Sequence, residues 1–506
     1  MKKRINVIIK IFILFLIIFL YLLVPVFIYS DSIVYYNNTK ILLGLAKFSS
    51  WDIVRGPTLE LVLFPFLKLF GNSEFSIRLC TCLFYLIMLV LTYDLCINDK
   101  KNKKLYIVLY LILIVFNPVL FGYYHWLLTE FVATTYAVIS VYVSIYFLKT
   151  CYNKKNTIYM ILFYSFSFLF VWFLKQPYFM IVFIPCLISA ILKINCKKNI
   201  VNALCVIFVP SIILACGIFS WRIFCIHNGV DYDNGRNNSF FLSTGVIYSN
   251  SNIRPQFTNS YYNLDYVKNT KLITEDIRQK LIQKLENGNT NYWIYYVYDT
   301  KGNYKDMVLF EYDDKLPKIN ESIKFALNNI VKYPIISIDS YLSNYLTCIN
   351  IYIPIKTFNF IYPYKEITDK SDENKTLALQ YLNKKNNNLR WNSDMFNGIS
   401  NLKIDYKYTG NTFVNTLADF HLNLFKALYL LLPFIWLISL LQVIHNKDKY
   451  KYVFMIFSTV FIHILSHVFT GGLIDRYVYI TFPIYACAII NWINILINNR
   501  RKKCEH

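Results

Sequence analysis

Residues 127–148 read LLTEFVATTYAVISVYVSIYFL, a run with a single charged side chain, Glu130. A soluble surface helix confines its apolar residues to one stripe, whereas this one is apolar all round. Its length matches the roughly 20 residues that cross about 30 Å of hydrocarbon. Working outward, nine further blocks have the same character: Ile5–Tyr29 and residues 76–98, 105–124, 157–174, 177–192, 200–224, 422–444, 452–470 and 476–497. The blocks at 157–174 and 177–192 are the shortest. Hydrophobic residues make up 56% of the chain and charged residues 16%, against about a quarter charged in soluble proteins. The expected fold class is an all-α polytopic membrane protein with about ten transmembrane helices. Lys2, Lys3 and Arg4 ahead of the first block resemble a signal-peptide n-region, but the block is too long and no small-x-small site follows it. An uncleaved first span is expected.

A formal net charge of +22 invites a nucleic-acid reading, but the placement of the charge argues against it. Residues 225–420 hold 22 Lys+Arg and 20 Asp+Glu. Of the 30 remaining basic residues, 20 lie in six short segments: Lys2–Arg4, Lys100–Lys104, Lys149–Lys155, Lys193–Lys198, Lys447–Lys451 and Arg500–Lys503. With ten spans, all six fall on one side of the membrane, the pattern of positive-inside loops. Both termini are then cytoplasmic, and no nucleic acid is a partner.

Three regions follow. Residues 1–224 form an N-terminal membrane module of about seven helices, 225–420 an extracytoplasmic domain, and 421–506 a C-terminal membrane region of about three. In the middle region, Leu272, Ile273, Ile277, Leu281 and Leu285 have helical spacing, with Gly288 as a stop. The aromatic and β-branched runs Tyr292–Tyr298 and Met307–Tyr312 flank Lys301-Gly302-Asn303, which predicts a hairpin. Glu321–Lys332, after Asn320 and before Pro334, predicts a second helix. This domain is therefore expected to be mixed α/β. In the loop after the first span, Val34–Phe48 is amphipathic and Leu59–Phe70 is apolar but too short to cross, so both suit interfacial helices.

This topology brings charges together on the outer face. Asp31, Asp52 and Arg55 lie in the first outer loop, His125 and Glu130 between the third and fourth spans, Lys175 between the fifth and sixth, and Asp475 and Arg476 before the last. Charges at the edge of hydrocarbon pair, snorkel or serve a site. Arg78, Arg222 and Lys426 read as snorkelling flanks, and Lys175 could be one too; Asp31 could merely end the first span. Glu130, with apolar neighbours on both sides, resists so plain a reading. His463 and His467, at i and i+4, could bind a metal, but no third ligand is evident and interhelical hydrogen bonding is expected instead. No metal or cofactor is expected. Of 12 cysteines only Cys225 and Cys348 fall within 225–420, as a disulfide or as two small hydrophobes. Outer cations suit a lipid-linked phosphate whose head group lies at that depth. An outer carboxylate could take a proton from an incoming hydroxyl.

The order of signals in the first third resembles the GT-C glycosyltransferases, the branch containing protein O-mannosyltransferases and the lipid A aminoarabinose transferase. Ser30-Asp31-Ser32-Ile33-Val34-Tyr35-Tyr36 follows the first span, then Trp51-Asp52-Ile53-Val54-Arg55-Gly56-Pro57. Next comes Phe64-Pro65-Phe66-Leu67-Lys68-Leu69-Phe70-Gly71-Asn72-Ser73-Glu74-Phe75-Ser76-Ile77-Arg78-Leu79, the nearest match to the family's pattern. Glu130, Lys175-Gln176-Pro177 and Asp475-Arg476-Tyr477 with Pro483 follow in the family's order. The resemblance covers about 1–225 and 470–490. Two departures stand out: Ser32 where many relatives carry Glu, and Val34 where a basic residue is common.

The resemblance implies a polyprenyl-phosphate sugar donor, a hydroxyl acceptor on a glycan, lipid or protein, and inversion at the anomeric carbon. It implies Asp31 as the general base, with Arg55, Lys175 and Arg476 holding the donor phosphate. Glu130, Asp52 and His125 are supporting residues. Other classes stay open. One is a polysaccharide polymerase or ligase with a lipid-pyrophosphate donor. Another is a lipid-linked glycan transporter or flippase, which would place its charges near the midplane. Abundant Asn, Lys, Ile and Tyr suggest an AT-rich bacterial genome. The expected location is the plasma membrane, with the active site outside.

Overall fold

A computed structural model describes residues 15–24, 26, 30–53, 55–97, 103–150, 154–194, 197–230, 232, 253–255, 264–269, 273–288, 292–298, 304–311, 331–332, 334–349, 412–470 and 475–504. The chain divides into two compact units. One comprises Met1–Asp231, Ile351–His463 and Asp475–His506; the other comprises Tyr232–Asn350 with Ile464–Ile474.

The first unit is helical. Residues 15–23 form α1, followed by α2 (Ser30–Leu42), α3 (Thr58–Phe70), α4 (Glu74–Ile97) and α5 (Lys103–Tyr110). Next come α6 (Pro118–Tyr124), α7 (Glu130–Lys149), α8 (Lys154–Leu174), α9 (Met180–Leu192) and α10 (Lys197–His227). Among the described residues, seven helices are long and apolar enough to cross a membrane: Glu74–Ile97, Glu130–Lys149, Lys155–Leu174, Asn199–His227, Thr416–His445, Lys447–Val468 and Phe482–Asn499. The protein is thus a polytopic helical membrane protein. An eighth span is made if Lys103–Val115 and Pro118–Tyr124, bent by 50° at their break, count together. The break has a local cause. Pro118 has no N–H for the ladder, and a five-residue π turn, Leu111–Val115, precedes it. The Asn117 side chain caps α6 by accepting from the Leu120 amide at 3.0 Å, and donates to the Tyr479 hydroxyl at 3.0 Å. The expected span at 177–192 is the shorter apolar helix Gln176–Leu192. Residues 5–14 of the first block lie outside the described residues.

The helix read first, α7, is the centre of this unit. It packs on α4 and α9, and its side chains are almost all buried. α8 runs along α10. The loop after the first block forms two helices: α2 starts four residues before the expected Val34–Phe48 and ends six short of it, α3 matches the expected Leu59–Phe70, and Asp31 lies in the first turn of α2. Gly71 ends α3 at φ 87°, a conformation open to glycine. Arg78 corrects an expectation. It is not a snorkelling flank but is buried and ion-paired with Glu74 on its own helix, and its Nη1 donates to the Leu22 carbonyl at 2.6 Å. Glu74 Oε1 also accepts from the Val26 amide at 2.6 Å. The ion pair therefore ties α4 to the end of the first block.

In the second unit, strands β1 (Ile253–Pro255), β2 (Tyr292–Tyr298) and β3 (Tyr304–Glu311) form an antiparallel sheet in the order β1-β2-β3. β2 and β3 flank the predicted turn at 301–303, with Trp293 opposite Phe310 and Tyr295 opposite Val308. Leu264–Asn269, Glu275–Glu286 and Pro334–Ile349 are helices, the second buried through Ile277 and Leu281 and followed by Gly288 at φ 70°. The helix predicted at Glu321–Lys332 falls outside the described residues except for its last two. Cys225 and Cys348 are both buried thiols.

Candidate functional site

Two clusters of polar side chains form in the first unit. The first is built on α2, the loop 51–57 and α3. Asn38 on α2 takes the Asp52 amide on its Oδ1 at 3.0 Å, and its Nδ2 donates to the Asp52 carbonyl and to Glu60 Oε1, both at 3.3 Å. The Arg55 guanidinium lies 5.5 Å from the centre of the Tyr35 ring, and the Trp51 indole N–H donates to the Arg55 carbonyl at 3.4 Å. Asp31 precedes Tyr35 by one turn of the same helix. Glu60 is wholly buried; burial raises its carboxyl to about 8, against the lowering pull of Asn38 and Arg55, and Asp52 adds to the rise. It is a neutral acid at pH 7.

The second cluster joins the turns before α7 and α9 to the short helix Asp475–Tyr479. Glu130, buried in the first turn of α7, accepts from the Thr129 hydroxyl at 3.4 Å. The Thr129 and Tyr178 hydroxyl oxygens lie 3.5 Å apart. The Tyr178 and Tyr477 rings meet edge to face at 5.5 Å. The Lys175 ammonium lies 4.1 Å from the Tyr477 ring centre and 6.0 Å from that of Tyr178. This is cation–π range, with Lys175 at the mouth of an aromatic pair. Arg476 is the residue before Tyr477 in Asp475–Tyr479. His463 Nε2 stands 2.9 Å from the Tyr477 carbonyl, the interhelical hydrogen bond that its position suggested.

One close approach links the clusters. Gly56 presses on the end of α8 so tightly that a Cβ there would overlap the Phe173 main chain. The Thr58 hydroxyl donates to the Phe170 carbonyl at 2.9 Å. The Asp52–Arg55 loop is thus seated against α8 two residues before Lys175. Of the seven residues chosen from sequence, Asp52 and Arg55 fall in the first cluster and Glu130 and Lys175 in the second. Asp31 lies one turn before Tyr35, and Arg476 directly before Tyr477.

His125 is placed differently. It is buried between Tyr21 and Phe121, with ring centroids at 4.0 and 4.3 Å. Its Nδ1 faces the Phe121 carbonyl at 2.9 Å and its Nε2 the Tyr21 carbonyl at 3.1 Å. Burial pushes its pKa down to about 4. With both ring nitrogens turned to main-chain carbonyls, His125 is a brace between α6 and α1 and offers no ring nitrogen to a phosphate.

Asn38, Glu60, Thr129, Tyr178 and Tyr477 are site residues that sequence reasoning did not choose. Glu60 had a signal, as the one acid in the apolar run Thr58–Phe70. The two tyrosines are lost among 43. No family model, curated protein or solved structure matches this chain. Among the described residues, no group of three or more His, Cys, Asp or Glu could hold a metal ion.

Proposed function

We propose that this chain is an inverting glycosyltransferase that moves a sugar from a polyprenyl-phosphate donor to a hydroxyl acceptor at the extracytoplasmic face of the plasma membrane. The observation that carries the reading is the seating of the Asp52–Arg55 loop against the α8 end that leads into Lys175. Residues more than a hundred positions apart converge there, as a phosphate site in the GT-C pattern requires. Asp31 removes the acceptor proton as the hydroxyl attacks the anomeric carbon. The polyprenyl phosphate departs as an anion, needing charge stabilisation rather than an acid. Arg55, Lys175 and Arg476 supply it, most strongly in the transition state. Glu130 and Asp52 orient the cations. In the same reading the chain crosses the membrane ten times with cytoplasmic termini. Residues 225–420 form an extracytoplasmic mixed α/β domain, a reading that draws on the β1–β3 sheet.

The test is release of polyprenyl phosphate from radiolabelled lipid-phosphate sugars by the purified protein. Release that depends on a hydroxyl acceptor and on Asp31 supports the reading; no release with any such donor refutes it. A second reading, transport of a lipid-linked glycan, draws on the broken helix Lys103–Val115 and Pro118–Tyr124, since interrupted helices mark transporter sites. Movement of a glycolipid across vesicles without bond cleavage would favour it.

A further inference from the structure

The proposed reaction leaves out the most deeply buried acid of the first cluster. We propose that Glu60 is a positioning residue for that site: through Asn38 it fixes the main chain of Asp52, and with it the loop that carries Arg55. The proposal rests on the transferase reading for its effect on turnover, but not for its effect on the loop.

Glu60 sits on α3 among Leu59, Leu63 and Leu67, all buried. A leucine there would avoid the penalty of burying a carboxyl, so the polar group needs a task. The contacts identify one. A side-chain amide has two unlike ends that can exchange by a half-turn. At Asn38 both are specified: Oδ1 must receive the Asp52 N–H, and Nδ2 has Glu60 Oε1 and the Asp52 carbonyl as acceptors. Without Glu60, the NH2 end loses one of its two acceptors, and the clamp on the Asp52 amide loosens. Glu60 Oε2 has no hydrogen-bond partner among the described residues, so Oε1 alone makes this link.

The acid works in its neutral form, because a charge there would be buried. The groups around it are few. The loop brings Asp52 and Arg55, of opposite sign. α2 brings the uncharged Asn38. α4 meets α3 through the Cys80 thiol at the Val62 carbonyl, and α8 meets its start through the Phe170 carbonyl. As pH rises through about 8 the carboxyl ionises. The loop must then open to hydrate it, and the site loses its geometry.

The experiment compares wild type, Glu60→Ala, Glu60→Gln and Asn38→Ala in the purified full chain. Amide exchange of residues 47–57 and the pH profile of donor turnover are the two readouts. Glu60→Ala should speed exchange at Asp52 about tenfold, the worth of one buried hydrogen bond, and lower turnover. Glu60→Gln keeps a neutral acceptor and should restore both; it should also abolish the loss of turnover that wild type shows above pH 8. The double variant Glu60→Ala/Asn38→Ala should be no worse than Asn38→Ala alone, because Glu60 acts through Asn38. If Glu60→Ala is not recovered folded, Glu60→Leu, which suits the apolar helix, takes its place. Unchanged exchange in the apolar variant overturns the proposal. So does a glutamine variant as impaired as alanine, which would make the carboxyl itself the working group. If wild type turns over no lipid-phosphate sugar, the transferase reading fails while the exchange comparison still decides the role of Glu60.

Discussion

Gly56→Ala separates the seating of the site from the stability of the fold. A Cβ on Gly56 would stand 2.7 Å from the Phe173 carbonyl carbon and 2.8 Å from its Cα. The Phe173 carbonyl oxygen is nearer still, and ordinary contacts lie at about 3.5–4.0 Å, so the loop must retreat from α8 by more than about 1 Å. The obstacle is main chain in the last turn of α8, which cannot rotate aside as a side chain could. The retreat also stretches the hydrogen bond from Thr58 to Phe170, worth about 0.5–1.5 kcal/mol. With overpacking, the total cost in stability is about 1–3 kcal/mol, a shift of a few degrees. The cost in turnover should be larger, because about 1 Å of misplacement in a catalytic array can cost about a hundredfold. Gly71→Ala is the control. Gly71 has φ 87° with nothing within 4 Å, so alanine there suffers backbone strain of about 1–3 kcal/mol without touching the loop. The assay pairs thermal unfolding in detergent with release of polyprenyl phosphate well below the transition. Both variants should lose similar stability, and only Gly56→Ala should lose turnover steeply. Equal turnover in the two would refute the idea that contact with α8 sets the site.

Lys175→Ala and Arg476→Ala should each lower donor use roughly tenfold to a hundredfold, as charge-assisted contacts of about 1.5–3 kcal/mol imply; Lys175→Arg should not restore it, because a planar guanidinium fits the Tyr477 ring and a phosphate differently. Full activity in both alanine variants would remove the phosphate assignment. Asp31→Asn should express and bind the lipid donor normally while turning over about a hundredfold to ten-thousandfold more slowly; near-normal turnover would move the base to another carboxylate. Arg78→Ala leaves Glu74 buried without its ion-pair partner, so it should cost about 3–5 kcal/mol in stability, and an unaltered thermal transition would mean that the pair is solvated. An impermeant maleimide added to intact cells should label Asn303→Cys and not Lys101→Cys; the reverse would invert the topology.

The helices were legible because each span declares itself, as α7 does by being apolar on every side; the break at Asn117-Pro118 was not, because 105–124 reads as one continuous apolar block. The order of α2 and α3 was legible too, since amphipathic and short apolar runs leave few alternatives. The site was legible only where chemistry is scarce. Glu130 and Lys175 stand out because few charges share their surroundings. Tyr178 and Tyr477 do not, because tyrosine is everywhere in this chain and only the fold selects two. Arg78 and His125 misled for one reason. Both are polar residues near span ends, where snorkelling, a brace and a binding site share one local pattern. The Leu22 and Tyr21 carbonyls that decide between them are more than fifty residues away.

The burial of α7 bears on how the protein is made. A helix that the folded protein buries so largely must still spend time in lipid during synthesis, before α8 and α9 have emerged. Its hydroxyls are provided for in that interval: Thr134, Thr135 and Ser144 each donate to the carbonyl four residues back, at 2.7, 3.0 and 2.6 Å. The helix can therefore enter the bilayer as a self-contained rod. The same oxygens later accept partners, Thr135 from Tyr124 at 2.8 Å and Ser144 from Tyr164 at 2.7 Å. Tyr124 is already present when α7 inserts, and Tyr164 arrives with the next helix. Assembly can thus run in chain order, each newcomer docking on a helix that was stable alone and finding an acceptor waiting.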